Sequence, residues 1–140
     1  MDKNQILKSC NEMSNNYFMK TLSIEFIDIG KDFLTAKMPV NSKVMQPDMI
    51  LHGGASAALA ESVGSAATYI FKKDPNLIVR GIEITSNHVK SVAKGYVFAT
   101  ARPINIGKTI QLWEIKITNE KNELICLSKL TTYTKKNRKQ

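Results

Sequence analysis

Residues Gly54–Phe71 read GASAALAESVGSAATYIF, eighteen positions with six alanines and no proline. Alanine is the strongest helix former, and a helix that is small and apolar nearly all round is typical of a protein core. The segment that follows, Lys72-Lys73-Asp74-Pro75, supplies two cations for the carbonyl end of a helix and a proline that cannot continue it. The sequence therefore predicts one long buried helix.

Strand-like segments lie on both sides of this helix. Before it, apolar and polar residues alternate over 22–26 and 34–38, which predicts a hairpin that turns at Gly30-Lys31-Asp32. After it, four further strands are predicted, at Leu77–Val92, Tyr96–Ile106, Thr109–Thr118 and Glu123–Thr134. Segregated strands with one central helix favour an α+β fold in which a curved antiparallel sheet wraps around that helix.

The first residues predict an additional amphipathic helix. Asp2 is a suitable N-cap, and Ile6, Cys10, Met13 and Tyr17 recur at the spacing of one helical face. Phe18 widens this apolar stripe.

Length and composition bound the possible functions. A chain of 140 residues with 43% apolar residues, 7 Gly and 4 Pro is typical of a single globular domain over 1–140, not of a disordered or collagenous protein. Neither a membrane span nor a signal peptide is apparent, so we expect a cytoplasmic protein. The two cysteines, Cys10 and Cys126, are far apart and are expected to be reduced, without a disulfide or metal role.

The net charge of +8 could indicate nucleic-acid binding, but four positive charges lie in the last six residues: Lys135, Lys136, Arg138 and Lys139. Without this basic tail, which begins at about residue 135, the remaining charge is 8 − 4 = +4. A modest surplus suits a phosphate-bearing small ligand equally well, so we expect neither nucleic acid nor a membrane as partner.

The start of the long helix carries the residues that could do chemistry. Gly53 and Gly54 leave backbone N–H groups unobstructed in the positive field of the helix dipole, which is one way to build an oxyanion hole. Glu61 lies seven residues beyond Gly54, roughly 10 Å along the axis, on the same face as Ser65. That separation is too long for one carbonyl group, but a second subunit packed antiparallel across a two-fold axis would shorten it.

Each of these residues also has a purely structural interpretation. Gly53-Gly54 could be a loop-to-helix junction, His52 a hydrogen-bonded structural residue, and Glu61 a side chain that reaches solvent at the helix edge. Because burying an unpaired carboxylate is costly, a glutamate in a buried alanine-rich helix favours the functional interpretation.

Taken together, Leu51-His52-Gly53-Gly54-Ala55-Ser56 and Leu59–Ser65, with Gln46-Pro47 before them and Gly81–Ile84 and Asn87–Ser91 after them, resemble the hotdog-fold acyl-CoA thioesterases of the phenylacetate-degradation type. Within that family the sequence is most similar to the dihydroxynaphthoyl-CoA hydrolases and the enterobactin proofreading thioesterases. The resemblance runs from about Leu22 to Thr132. It implies a hotdog fold, in which a sheet is wrapped around one long helix.

The resemblance also implies roles for single residues. Glu61 matches the catalytic carboxylate, acting as nucleophile or general base, while Gly53 matches the backbone donor to the thioester oxygen. Gln46 and His52 match residues that hold this carbonyl group and the nearby water. The implied substrate-binding residues are Gly54, Ser65, His88, Lys90 and Lys108, with Lys94 as a further candidate for the CoA phosphates.

The implied assembly is a homodimer with shared active sites, in which one subunit supplies Glu61 and its partner supplies Gln46, His52 and Gly53; the family also suggests tetramers. Coenzyme A is part of the substrate, so neither a metal nor a bound cofactor is expected. The chain departs from the family pattern at Asp48-Met49, where relatives have a bulky apolar residue and a glycine. Two alternatives stay open, a non-catalytic acyl-CoA binder or sensor and a hotdog dehydratase.

Overall fold

The long helix, α3 (Gly53–Lys72), lies at the centre of the computed structural model, which describes residues 2–138. It ends where the sequence predicts, since Lys73 takes a left-handed conformation with φ 52° and Pro75 follows two residues later. One face of α3 is buried against a sheet, through Ser56, Leu59, Ala60, Val63, Gly64, Ala67 and Thr68. Within residues 2–138, no helix combines the length and apolarity that a membrane crossing requires.

The sheet has six antiparallel strands, two before α3 in the chain and four after it. They are β1 (Glu25–Ile29), β2 (Leu34–Pro39), β3 (Leu77–His88), β4 (Tyr96–Ile106), β5 (Ile110–Thr118) and β6 (Leu124–Lys136), in the spatial order β1-β2-β4-β5-β6-β3. The predicted α+β fold, a sheet around one long helix, is therefore confirmed.

Close contact between α3 and the sheet depends on Gly64. A Cβ atom at this position would lie 2.5 Å from Cδ2 of Leu130 and 3.4 Å from Cδ1 of Ile115. Both leucine and isoleucine are fully buried, so neither can move aside without opening the core. The small residue at 64 therefore sets how closely the helix approaches β5 and β6.

The N-terminal helix is shorter than the apolar stripe predicts. Helix α1 (Lys3–Ser14) begins with the predicted Asp2 cap, completed by Gln5 in a reciprocal capping box. The chain then leaves the helix at Asn15, and a second short helix, α2 (Phe18–Thr21), follows. The prediction that Tyr17 continues the first helix is wrong. The apolar residues keep a helical spacing across the break between α1 and α2, so their spacing does not reveal it.

Four further expectations are corrected. The first strand runs over Glu25–Ile29 rather than 22–26, because Leu22 ends α2 and Ser23 turns the chain in a left-handed conformation. The sheet covers only one side of α3, so the helix is not buried all round. Strand β3 ends at His88 rather than Val92, because Val89 and Lys90 both turn their N–H groups to Ile125 O. Strand β6 runs to Lys136, so the first two lysines of the basic tail are paired with β3; Lys139 lies outside the described residues.

The two edges of the sheet differ. Asn11 of α1 covers the β1 edge, because its side chain donates to Phe26 O at 3.0 Å and accepts from Phe26 N at 2.8 Å. Along the outer edge of the 12-residue strand β3, by contrast, no strand within residues 2–138 is paired. An unpaired edge of this length is a template for adding another strand.

A chain of buried polar groups joins α3 to the sheet. The indole Nε1 of Trp113 donates to Thr68 Oγ1 at 2.8 Å, and this hydroxyl also lies 2.9 Å from the hydroxyl of Thr132. Thr132 in turn donates to Gln111 Oε1 at 2.9 Å, and the Gln111 amide donates to Thr134 Oγ1 and Gly107 O. Every buried side-chain polar atom in the described residues has a partner, so this network adds rigidity without leaving a desolvated group unpaired.

We expect Thr68→Val to lower the free energy of unfolding by about 2 kcal/mol, because the Trp113 indole and the Thr132 hydroxyl lose a shared partner inside the core. Urea unfolding followed by tryptophan fluorescence measures this change. Ser62→Ala is the matched control, since within residues 2–138 the Ser62 hydroxyl bonds only to Ala58 O on the same helix, and the side chain is half-buried. Equal stability of the two variants would contradict the importance of the network.

Candidate active site

The loop before α3 folds into a tight turn that carries Gln46 towards the helix start. Gln46 N donates to Ile50 O and Met49 N donates to Gln46 O, each at 2.9 Å, while His52 N donates to Val44 O at 2.8 Å. The side-chain amide of Gln46 makes no hydrogen bond to any residue in the range 2–138. It is therefore available to bind a ligand.

Met49 holds this turn in an unusual backbone conformation. Its φ of 64° lies in the left-handed region, which costs a residue with a Cβ atom about 1 kcal/mol. Glycine is the residue that adopts this conformation without strain, so the turn has the backbone of a glycine turn while it carries a larger side chain. That side chain is 71% exposed and helps to form the surface beside the helix start.

His52 caps the helix and thereby fixes its own tautomer. Its Nδ1 accepts the N–H of Gly54 at 2.8 Å, so the proton of the neutral imidazole must be on Nε2. Nε2–H points away from the cap as a free donor, and the ring is exposed. Because this bond already uses the Gly54 N–H, that amide is not available to a substrate. Gly54 could contribute only the space that its lack of a side chain leaves.

Gly53 presents the remaining free donor of the helix start. No acceptor within residues 2–138 takes up its N–H, as expected for the first residue of a helix. A Cβ atom at Gly53 would lie 2.8 Å from His88 Nε2, so the imidazole at the end of β3 packs directly against it. The structure thus brings His52, Gly53 and His88 together at one point.

Glu61 lies on the face of α3 that the sheet leaves open. Its side chain is exposed in the single chain, so the expectation of a buried carboxylate is wrong there. The carboxylate lies over Gly81 of β3, where a Cβ atom would collide with Oε1 of Glu61. A register shift between Gly81 and Glu83 kinks the strand at this point.

Along the helix, the predicted site residues form two groups. Glu61 and Ser65 line a cavity of about 1240 Å³ between α3 and the two N-terminal helices. Gly53 lies eight residues before Glu61, about 12 Å along the axis at 1.5 Å per residue. A single chain therefore does not bring the carboxylate to the free amide donor.

Sequence comparison agrees with this architecture. Residues 49–126, which include His52, Glu61 and His88 and more than half of the chain, match the family model described as the thioesterase superfamily. This chain belongs to the thioesterase superfamily. It is accordingly a thioester hydrolase.

Individual members of the superfamily are similar over nearly the whole chain. The 1,4-dihydroxy-2-naphthoyl-CoA hydrolase of Escherichia coli is 44% identical over 126 residues, covering 90% of this chain and 92% of that protein. The proofreading thioesterase EntH of Cronobacter turicensis is 39% identical over 130 residues, covering 93% and 94%. A crystal structure of a thioesterase from Haemophilus influenzae superposes with a TM-score of 0.91 at 39% identity, covering 96% of this chain and 94% of that one.

Two lysines predicted to contact phosphates lie at opposite ends of this thioesterase. Lys90 follows β3 at the N-terminal end of α3 and forms an ion pair with Glu123. That lysine, with Asn119, holds the pKa of the Glu123 carboxyl below its usual value. Lys108 lies at the other end, where Lys72 Nζ binds its carbonyl oxygen at 3.0 Å and that of Gly107 at 2.9 Å.

The 20 residues of α3 span about 30 Å, so Lys90 and Lys108 of one chain cannot hold the same phosphate group. Lys94 follows Lys90 in the same exposed connection before β4. In the described part of the chain, no three His, Cys, Asp or Glu side chains come together as possible metal ligands.

Sequence reasoning missed the structural role of Gly81. A glycine inside a strand pattern signals a bulge or a close backbone approach, and that signal was present. The sequence signal does not say which side chain approaches the glycine. Glu61 and Gly81 lie on different elements, 20 residues apart in the chain.

We expect Gly81→Ala to reduce kcat/KM for thioester hydrolysis by roughly tenfold to a hundredfold while leaving the fold intact. The new methyl group meets the end of a flexible side chain, so Glu61 can move aside, and a displacement of about 1 Å is enough to cost this much activity. Kinetics with benzoyl-CoA and a thermal melt measure the two effects. Lys129→Ala, at an exposed position of β6, should change neither; unaltered activity of Gly81→Ala would contradict the assigned contact.

Proposed function

We propose that this protein hydrolyses acyl-CoA thioesters with aromatic or medium-sized acyl groups to the free acid and CoA. The observation that carries the proposal is the combination of an accessible carboxylate, Glu61, with an unoccupied amide donor, Gly53 N–H, that two imidazoles flank. A carboxylate can activate or attack, and a free N–H at a helix start can stabilise the oxyanion that results. Both relatives named above are thioesterases, which supports the reaction class.

In this reaction the thioester oxygen accepts hydrogen bonds from Gly53 N–H and from the amide of Gln46 or Nε2–H of His52. Two routes fit Glu61. As a general base it takes a proton from water, whose hydroxide adds to the carbonyl carbon; collapse of the tetrahedral intermediate expels CoA thiolate, which recovers the proton. As a nucleophile it adds directly, CoA thiolate leaves, and water hydrolyses the resulting anhydride. His88 and Ser65 lie where they could orient the acyl group or the water.

The proposed site combines residues from two copies of the chain. A carbonyl carbon must come within about 3.5 Å of the attacking atom while its oxygen lies about 3 Å from the donor. The 12 Å along α3 between Gly53 and Glu61 exceeds what these contacts allow. The free edge of β3 offers the means of pairing two copies antiparallel.

Two residues of β3, Gly81 and His88, lie at positions that favour this antiparallel pairing. Gly81 lies under Glu61 and His88 lies against Gly53, each within its own chain. A two-fold axis midway between positions 81 and 88, at Ile84-Thr85, places the Gly81 of one copy opposite the His88 of the other. Glu61 of the first copy would then face Gly53 of the second.

We expect Glu61→Gln to lower kcat about 10³-fold with benzoyl-CoA and hexanoyl-CoA, because an amide neither accepts the proton nor attacks the carbonyl. Thiol release measures the rate. Glu114→Gln, the same change on the outer face of the sheet, should behave as wild type. Wild-type rates for Glu61→Gln would end the proposal. Thermal stabilisation by acyl-CoA without thiol release from the unaltered protein would instead favour a binder.

Single-turnover hydrolysis in heavy-oxygen water can identify the nucleophilic route. Label appears in the Glu61 carboxylate only when an anhydride forms and water attacks its glutamyl carbonyl group. Label in the acid product alone is the result expected both for the general-base route and for an anhydride that water opens at its acyl carbonyl group, so only label in Glu61 decides between the routes.

A mixing experiment tests the shared site. Glu61→Gln and His52→Ala chains are each expected to be inactive, and co-expression should restore about one quarter of the wild-type activity. Half of the dimers are then mixed, and one of the two sites in each has both residues intact. No recovery in demonstrably mixed dimers would mean that one chain supplies both residues.

A further inference from the structure

The tip of the β4–β5 hairpin, residues 104–110, exposes apolar side chains where the end of a hairpin usually carries polar ones. Ile104 is 52% exposed, Ile106 41% and Ile110 43%. Gln111, directly after Ile110, is by contrast fully buried. The polar residue lies inside and the apolar residues lie outside, which is the reverse of what water as the only surroundings would favour.

The backbone of this tip makes its carbonyl hydrogen bonds within the protein. The carbonyl oxygens of residues 107–110 accept hydrogen bonds at 2.8 to 3.2 Å from Lys72 Nζ, the Gln111 amide, Thr134 N and Gly107 N. An unpaired carbonyl group is costly outside water. Because all four carbonyl groups of the turn have partners, the tip can enter a less polar medium without losing these bonds.

Positive charge is concentrated around the same tip. Lys72 joins the end of α3 to the hairpin, and Lys136 pairs with Leu77, so the ends of α3, β6 and the start of β3 lie together. One carboxylate, Asp74, lies among six cations there, and these seven residues contribute +5 of the net charge of +8. The six cations are Lys72, Lys73, Lys108, Lys135, Lys136 and Arg138.

The structure changes the interpretation of the basic tail. The expectation that no membrane is a partner treated Lys135 and Lys136 as parts of a free terminus. Both lie in β6 and are paired with β3. Together with Lys108 and Tyr133 they line one hollow of about 430 Å³. Their charges are therefore fixed beside the exposed isoleucines.

We propose that this end of the protein docks on the surface of an anionic lipid bilayer. The isoleucines enter the boundary between headgroups and acyl chains, while the cations contact lipid phosphates. We call this surface the tip patch, and it consists of the six cations together with Ile104, Ile106, Ile110 and Tyr133. Glu61 takes no part in it, so the inference is independent of the thioesterase reaction.

The composition of the tip patch favours a lipid surface over a nucleic acid. Exposed isoleucines gain nothing from a sugar–phosphate backbone, whereas the boundary region of a bilayer removes them from water. Five of the six cations are lysines, which bind phosphates as point charges and need no fixed geometry. Tyr133 is exposed among them, and its ring, apolar with a polar end, suits the level of the headgroups.

Co-sedimentation with large unilamellar vesicles tests the proposal. We expect the protein to bind vesicles of equal parts phosphatidylcholine and phosphatidylglycerol, less strongly at high salt, and not to bind phosphatidylcholine alone. Lys135→Gln/Lys136→Gln should weaken binding about 25-fold, since each cation near an anionic surface contributes about fivefold. Lys43→Gln/Lys121→Gln removes the same charge from the opposite end of the sheet and should stay within about twofold of the wild type.

The apolar part of the patch is tested separately. Ile110→Asn should weaken vesicle binding about tenfold, because it removes apolar surface that the bilayer would bury. Leu124→Asn, at a position of similar exposure at the other end of β6, is the matched control. Ile104→Trp adds an independent readout, since its fluorescence should shift to shorter wavelength on anionic vesicles while Trp113 stays buried in the core.

Four results would each overturn the inference. The first is no co-sedimentation with anionic vesicles at low salt, and the second is an equal loss in the two lysine pairs, which would mean adsorption by net charge alone. The third is binding to a DNA duplex that the Lys135→Gln/Lys136→Gln pair weakens and Ile110→Asn does not, without binding to vesicles. The fourth is a changed elution volume of Ile110→Asn in size-exclusion chromatography, which would assign the tip to an interface between copies. Thermal melts of each variant control for folding.

Discussion

The packing of α3 across the sheet is the contact on which the rest of the molecule depends. Gly64 lets the helix approach so closely that a single methyl group would collide with Leu130. The apolar half of the helix makes this contact, while its other half carries Glu61, Ser62 and Ser65 and touches the sheet only at the edge, where Glu61 lies over Gly81. The same helix is therefore both the main core element and the floor of the candidate site.

The geometry at the start of this helix follows from its capping. A serine or aspartate cap would satisfy the exposed amides with a short side chain, whereas His52 satisfies one amide and keeps a ring N–H available. Only Gly53 N–H then remains free, directly beside His88. Capping thus selects which amide can act, and it does so with a residue that can itself donate to a ligand.

The sequence predicted the elements well wherever period and turn chemistry act locally. Alternation located β2, strand propensity and turn signals located the four strands after α3, and the Lys72–Pro75 signal located the end of α3, whereas the strand predicted over 22–26 shares only two residues with β1. The break after Ser14 and the extension of β6 to Lys136 were not predicted, because the first depends on how α2 packs and the second on pairing with β3. Contacts between elements that are distant in the sequence decide both features, and the periodicity of a single segment gives no information on such contacts.

For the site, the residues could be named from sequence but their grouping could not. The motif placed His52, Gly53 and Glu61 in order along one helix, and helix geometry alone gave their separation. The exposure of Glu61, its contact with Gly81 and the cavity under α1 all come from tertiary packing. The likeness to known thioesterases identified the reaction class, while the cavity between α3 and the two N-terminal helices depends on the break between α1 and α2, which the sequence pattern did not predict.

The open edge of β3 affects the tendency of this protein to aggregate. The outer edge of this twelve-residue strand, which no other strand of residues 2–138 covers, invites not only an identical strand but any extended peptide, including those of misfolded chains. The kink at Gly81–Glu83 and the charge of Glu83 interrupt that edge and make indiscriminate growth into fibrils harder. A glycine that makes room for a carboxylate thus lies in the same irregularity that helps to keep the molecule from aggregating.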